Sequence, residues 1–311
     1  LKAIHYYLQY LNIVSFMGNF ENNLHKKVLI YKSSLQNECS TASGELLYDI
    51  AQTLADIYIY EYLLFSKTSS FEKEKELLTK CIEQEWFTYV CDLKKIKILR
   101  YQALSFKSNG ERKKYNKILQ NIYTMYKGNA YAQLIYWANQ AAPFYVNCPQ
   151  KALECLKKCN LDKFLKDYSK EIKLYLWVKN DLGIVSFYNG DLTRAEKISS
   201  DVLEKSMRLK YSENIARGHN LLGAIALSKN NITLAEEEFF KAFTNCIDVN
   251  EESFIHFTVN YIVVTEKNDK KLVRLVANYL RSNHKRLTRI FETQNLNTCR
   301  WFVTLYAFYH E

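Results

Sequence analysis

Histidines, cysteines and acidic pairs are the residues of this sequence that could do chemistry, and their spacing argues against catalysis. The six histidines have neither the short spacing of a metal pair nor a nucleophile motif nearby; they stand at positions 5, 25, 219, 256, 284 and 310. No glycine-rich phosphate-binding loop is found. Acidic pairs such as Glu236–Glu237 are typical of an exposed helix face. We therefore expect a chain without enzyme activity, a bound metal or another cofactor.

The eight cysteines lack the dense, regular spacing of a disulfide framework, so reduced thiols are expected. The closest group is Cys148, Cys155 and Cys159, of which the last two are four residues apart and could share a helix face. A structural zinc site usually has four ligands, and neither a second cysteine pair nor a nearby histidine completes the set. The sequence therefore predicts buried or partly exposed thiols here.

The formal charge of +10 invites a nucleic-acid partner, because clustered Lys and Arg release counterions from phosphates. Most charges alternate in sign, as they do from Phe71 to Lys80, and this predicts solvated helix faces. One exception is the segment from Lys270 to Arg289, where seven basic residues occur without an acid. This segment could face DNA, an acidic partner or water, and direct contact with nucleic acid is the less favoured interpretation. Its candidate partner surface consists of Arg281, Lys285, Arg286 and Arg289.

The composition favours one continuous helical array. Only two prolines and eight glycines are present, which leaves few places for a linker. Apolar residues make up 48% of the chain and aromatic residues 14%, which is ample material for a core. No run of about 18 uncharged apolar residues occurs, so we predict no transmembrane helix and expect a cytoplasmic location. The sequence opens at Leu1, without methionine and already in an amphipathic pattern, which suggests a piece of a longer protein.

Two segments of the chain align with each other at an offset of 40 residues. They run from Asn180 to Leu203 and from Asn220 to Phe243. Small residues recur in both segments where two helices would approach closely, and Gly or Asn recurs where a tight turn needs a tolerant backbone. The matched positions are Gly183 with Gly223, Gly190 with Asn230, and Ala195 with Ala235.

This pattern resembles the tetratricopeptide motif, a helix pair with small residues at fixed positions. The resemblance implies an all-α fold, a right-handed α–α superhelix of about seven helix pairs with a period near 40 residues. Two features depart from the family: Ser199 stands where an aromatic residue is expected, and the family's usual period is about 34 residues. Apolar spacing also predicts a helix rather than a strand over Ala51–Phe65. Weaker copies are predicted over Ser43–Glu83, Leu99–Tyr123, Ala130–Cys159 and Ser253–Leu280.

The chain is expected to form one superhelix over residues 1–311, with a joint near its middle. The region from Lys127 to Pro149 carries both prolines, Pro143 and Pro149, and proline interrupts a helix. We therefore predict an N-terminal subarray of degenerate repeats, residues 1–142, and a C-terminal subarray, residues 143–311. The aromatic-rich segment from Asn297 to Tyr309 could cap the array or pair two copies into a homodimer.

A superhelix of this type presents the first helices of its repeats as a concave binding surface. Asn180 and Asn220 occupy the same inner-facing position one repeat apart, and an Asn amide both donates to and accepts from a peptide backbone. A structural role is an equal alternative for this pair, which could cap or bridge adjacent helices, and core packing is favoured for Trp177 and Phe187. The candidate groove residues beside the asparagines are Trp177, Phe187, Tyr188, Arg217 and Leu227.

Repeats of about 40 residues with inner-helix Asn resemble the sensor domains of cytoplasmic peptide-pheromone receptors of Gram-positive bacteria. The resemblance rests on Asn180 and Asn220. It implies that the chain binds a short imported peptide and relays binding to a regulatory output such as transcription. The amino-terminal helix-turn-helix that such regulators often carry is not recognisable. The alternative hypothesis is a sensor or scaffold module of a larger signalling protein of the STAND NTPase type, which would recognise a folded protein partner.

Overall fold

A computed structural model of the chain describes residues 22–67, 71–108, 111–246 and 260–261, and every regular element in them is helical. The chain forms two compact units, which divide between Lys127 and Gly128. The first unit contains α1 (Asn22–Cys39), α2 (Gly44–Lys67), α3 (Phe71–Ile82), α4 (Asp92–Ser108) and α5 (Arg112–Met125), with a 3-10 turn at Glu85–Tyr89.

The second unit continues the same pattern of consecutive helices. Two 3-10 turns interrupt it, at Ala142–Phe144 and at Ser169–Glu171. Its helices are α6 (Ala130–Ala141), α7 (Pro149–Lys157), α8 (Leu161–Asp167), α9 (Ile172–Tyr188), α10 (Leu192–Arg208), α11 (Ser212–Ser228) and α12 (Ile232–Cys246).

Helix α2 is the centre of the first unit. Ile50, Leu54 and Ile57 lie three or four residues apart and are fully buried. Apolar residues at this spacing can face one core together only in a helix, so the predicted helix over Ala51–Phe65 is confirmed. The neighbouring helices α3 and α4 cover α2 with Leu78, Cys81 and Ile98.

The two aligned segments of the second unit form the helix pairs α9–α10 and α11–α12. Each pair turns through a residue with positive φ, Gly190 at 82° and Asn230 at 58°, a region that Gly and Asn tolerate best. The residue before each second helix caps it. Asp191 accepts from the N–H of Arg194 at 3.0 Å, and Asn231 accepts from the N–H of Leu234 at 3.1 Å. The predicted all-α fold of tetratricopeptide-like helix pairs is confirmed for the described residues.

Gly183 and Gly223 lie where a neighbouring helix comes closest. A Cβ on Gly223 would stand 2.8 Å from ring carbons of Phe239 on α12, and a Cβ on Gly183 would stand 3.0 Å from Cδ2 of Leu221 on α11. The structure therefore confirms a close approach of a neighbouring helix at both positions, and the approach is tighter at Gly223.

The two repeats differ at the aligned positions Ser199 and Phe239. Phe239 is buried against Gly223, as the family pattern expects. Ser199 is fully buried as well, and its hydroxyl donates to the carbonyl oxygen of Gly218 at 2.9 Å. A hydrogen bond between α10 and α11 thus replaces aromatic packing in the first repeat.

The joint predicted between residues 142 and 143 falls within the second unit, at the 3-10 turn Ala142–Phe144. A division into subarrays at this point stays a prediction. The basic segment from Lys270 to Arg289 and the aromatic segment from Asn297 to Tyr309 lie outside the described residues, as does most of the predicted repeat Ser253–Leu280. None of the described helices is long and apolar enough to cross a membrane.

Candidate functional site

Helices α9 and α11, the first helices of the two aligned repeats, lie side by side. At one end the side-chain amide of Asn214 donates to the carbonyl oxygen of Lys173 at 3.4 Å. Further along, Arg217 binds Asp181. Residue numbers rise together on both helices, so the helices run in the same direction. Equivalent positions of the two repeats therefore lie on the same side of the array, one repeat apart.

The asparagines at 40-residue intervals extend to a third member, Asn260. Its Nδ2 donates to Oδ1 of Asn220 at 2.6 Å. Asn220 is half-buried, and this bond uses its oxygen and leaves its own amide N–H groups for other partners. Asn260 was not among the residues predicted from the sequence, although one more step of the 40-residue period reaches it.

Asn180 occupies the same repeat position but a different environment. Its side chain is 0% exposed, and neither its amide nitrogen nor its oxygen has a hydrogen-bond partner in the described part of the chain. A buried polar group without a partner costs about 1–3 kcal/mol. Asn180 is therefore neither the helix cap nor the helix bridge that a structural role would require.

An ionic contact joins the repeats next to Asn180. The guanidinium of Arg217 binds the carboxylate of Asp181, and its central carbon lies 5.2 Å from the centre of the Trp177 ring. Burial raises the pKa of Asp181, while Arg217 and the hydroxyl of Tyr145 act in the opposite direction. The structure thus brings together two residues predicted for the groove, Trp177 and Arg217. Asp181 was missed, because nothing in the local sequence separates it from an exposed acid.

The other three predicted residues lie towards the C-terminal ends of the two helices. Phe187 is half-buried and packs against a core of Ala195, Leu221 and Ile225, which is the packing role that the sequence analysis favoured for it. Tyr188 and Leu227 are exposed. Tyr188 lies eleven positions from Trp177, or about 16 Å along the helix axis. These residues are therefore separate from the polar group around Arg217.

His219 faces its own repeat. Its Nδ1 lies 2.8 Å from Oε2 of Glu238 on α12, and Lys241 donates to Oε1 of the same carboxylate at 3.0 Å. Burial acts to raise the pKa of Glu238, but the hydrogen bonds with His219 and Lys241 outweigh it and hold that pKa below its usual value. This pair fastens α11 to α12.

Two cysteines of the second unit, Cys155 and Cys159, are placed for packing. Cys155 and Cys159 are buried, and burial raises the pKa of the Cys159 thiol to about 12. Among the described residues, no group of three or more His, Cys, Asp or Glu side chains could hold a metal ion. The four basic residues predicted as a partner surface, from Arg281 to Arg289, lie outside the described residues.

Comparison with known proteins gives a structural likeness only. No protein-family model matches the chain, and no curated protein matches it significantly in sequence. A Rap protein solved in complex with Competence and Sporulation Factor superposes with a TM-score of 0.50 at 14% identity, over 90% of this chain and 77% of that one. BtubC (BKLC) from P. vanneervenii matches with a TM-score of 0.34 at 14% identity, over 85% of this chain and 92% of that one. The chain thus has a tetratricopeptide-like helical repeat fold and resembles the Rap protein in that fold.

Proposed function

We propose that the second unit binds a short, extended peptide along the side of the array that carries Asn180, Asn220 and Asn260. The observation that supports this most directly is the recurrence of one side-chain amide at the same position of successive repeats, with the amide of Asn180 unpaired in the described part of the chain. A buried amide that stabilises nothing lowers the stability of the fold, so its presence is best explained by a ligand that supplies its partners.

The spacing of these amides suits a peptide backbone. Adjacent helices pack about 8–10 Å apart, and an extended peptide advances about 3.3 Å per residue. An amide on each successive first helix would therefore meet the peptide about once every three residues. Because an amide contacts the backbone, this binding needs no particular peptide side chain, and Trp177 and Arg217 would add selectivity.

Asn180 is fully buried, so a peptide must displace neighbouring side chains to reach it. Trp177 and Arg217 are only half-buried and lie beside it in sequence or in space. We infer that the ligand enters by moving these two side chains.

The likeness in fold to the Rap protein adds support, because that protein was solved in complex with Competence and Sporulation Factor. Together with the resemblance to cytoplasmic pheromone receptors, it favours a sensor that works in the cytoplasm and passes the binding event to a regulatory partner.

A titration tests the proposal. An array of short synthetic peptides is screened against the 311-residue chain by fluorescence anisotropy, and the tightest binder is titrated into Asn180→Ala and Asn220→Ala. Each variant should bind about five to ten times more weakly, as expected for the loss of a hydrogen bond. Asn245→Ala is the matched control, because among the described residues the hydrogen bond that Asn245 makes lies within its own helix, α12.

Two results would reject the assignment. One is an affinity that is unchanged in both test variants. The other is an equal loss of peptide affinity in the Asn245→Ala control, which would show that the substitutions act by destabilising the fold and not by removing a contact with the peptide.

A further inference from the structure

Exposed cations cluster around the end of α4 and the beginning of α5, in the first unit. Lys113 and Lys117 are four residues apart, which places them on one helix face about 6 Å apart along the axis. The five cations, which we call the α4–α5 basic face, are Lys107 on the last turn of α4, and Arg112, Lys113, Lys114 and Lys117 on α5.

The single acid close to this face in sequence is already engaged. Between residues 93 and 153 the chain contains one acidic residue, Glu111. Its carboxylate binds both Lys75 on α3 and Lys114. The hydrogen bond from Lys114, and to a smaller extent that from Lys75, lowers the pKa of Glu111 below its usual range. Arg112, Lys113 and Lys117 make no ion pair with any described residue. The basic face therefore has a net positive charge towards solvent.

This arrangement of charge works against the stability of α5. Arg112, Lys113 and Lys114 occupy its first turn, next to the positive end of the helix dipole, where acidic side chains are favoured. Lys113 and Lys117 also repel each other across one turn. The bond to Glu111 accounts for Lys114. The cations Arg112, Lys113 and Lys117 are not explained by the needs of the helix, which points to a partner that requires them.

We propose that the α4–α5 basic face binds the phosphate backbone of a nucleic acid. Lysines dominate it, and none of the exposed large hydrophobic residues of the described chain falls between residues 107 and 117. Protein–protein interfaces usually have an apolar centre and are depleted in Lys, whereas phosphates require only accessible cations. The observations therefore favour phosphates over an acidic protein. The face belongs to the first unit, so this proposal is independent of peptide binding in the second.

Charge reversal tests the proposal. A fluorescein-labelled duplex DNA of mixed sequence is titrated with the full chain at several salt concentrations. The test variant carries Arg112→Glu, Lys113→Glu and Lys117→Glu. Its matched control carries the same change of charge at three exposed lysines of the second unit, Lys157→Glu, Lys166→Glu and Lys170→Glu.

The full chain should bind with a logarithm of affinity that falls linearly with the logarithm of salt concentration. The test variant should bind more than about tenfold more weakly, with a salt slope smaller by about three, because about 0.9 of a counterion is released per phosphate contact. The control should lose much less. Thermal unfolding separates this result from misfolding, since the test variant should melt no lower than the full chain.

Three outcomes would overturn the proposal. The first is no binding of DNA by the full chain at low salt. The second is an equal loss in both triple variants, which would mean that total charge and not this face attracts DNA. The third is tight binding of poly-L-glutamate without binding of DNA, which would assign the face to an acidic protein.

Discussion

Arg217 on α11 binds the carboxylate of Asp181 on α9, and this ion pair connects the first helices of two successive repeats. The side chain of Asp181 is 2% exposed and that of Arg217 is 18% exposed, so the acid is taken out of water and the base only partly. Removal of the base would leave a buried charge without a partner, which is more costly than the absence of both charges. Loss of this contact would therefore disturb both the packing of α9 on α11 and the candidate site.

Arg217→Met is expected to lower the free energy of unfolding by about 3 kcal/mol, because Asp181 is left uncompensated. The double variant Asp181→Asn with Arg217→Met should recover most of that loss, since both charges are then gone. Urea denaturation of the two single variants, the double variant and the unmodified chain gives the interaction energy. If the free energy of unfolding of Arg217→Met lay within about 0.5 kcal/mol of that of the unmodified chain, solvent screening would make the contribution of the ion pair to stability negligible.

Asn180→Leu is expected to stabilise the chain by about 1–3 kcal/mol, because it removes a buried amide that makes no hydrogen bond with any described residue. Asn220→Leu should instead destabilise the chain, since it breaks the hydrogen bond to Asn260. Both variants should bind peptide more weakly. Thermal unfolding checks the two signs, and destabilisation by Asn180→Leu would favour a structural role for that residue over a binding one.

Gly223→Ala is expected to destabilise the chain by about 1–3 kcal/mol, because the new Cβ would meet the buried ring of Phe239. Gly183→Ala is the matched comparison. A Cβ at Gly183 would lie 3.0 Å from Cδ2 of Leu221 and 3.2 Å from Cγ2 of Ile198, so it meets less crowding than at Gly223, and the gain in helix propensity, about 1 kcal/mol, should offset most of it. Phe239→Leu should rescue Gly223→Ala, and failure of that rescue would place the strain elsewhere in the repeat. Melting temperatures of Gly223→Ala, Gly183→Ala, Phe239→Leu and the double variant Gly223→Ala with Phe239→Leu provide the comparison.

Loss of the His219–Glu238 contact should follow the protonation of Glu238. Its folded-state pKa is lowered, so the folded state binds fewer protons than the unfolded state, and stability falls with falling pH. The contribution is fully present above the usual pKa of 4.5 and is lost as pH decreases through the lower folded value. Glu238→Gln should remove this part of the pH dependence. Urea midpoints measured from neutral pH downward test it, and parallel curves for the two proteins would contradict it.

The helices and turns of the repeats could be predicted from the sequence because they depend on neighbouring residues. Apolar spacing in Gly44–Lys67 and the backbone freedom of Gly190 and Asn230 are local properties with local consequences. The small residues Gly183 and Gly223 could be recognised because they recur at the same position of both repeats. The 40-residue offset then placed Asn180 and Asn220 at the same position of the repeat.

The environment of each of those positions depended on tertiary structure. Asn180 and Asn220 have the same register, yet their environments differ because different segments pack against each helix. Asn180 is fully buried without a partner among the described residues, and Asn220 is half-buried and bound to Asn260. Asp181 and Arg217 are separated by 36 residues, so their pairing is set by the packing of α9 on α11 and not by spacing along either helix. Periodicity identifies which residues recur, whereas only the packed helices decide which of them meet and which lose contact with water.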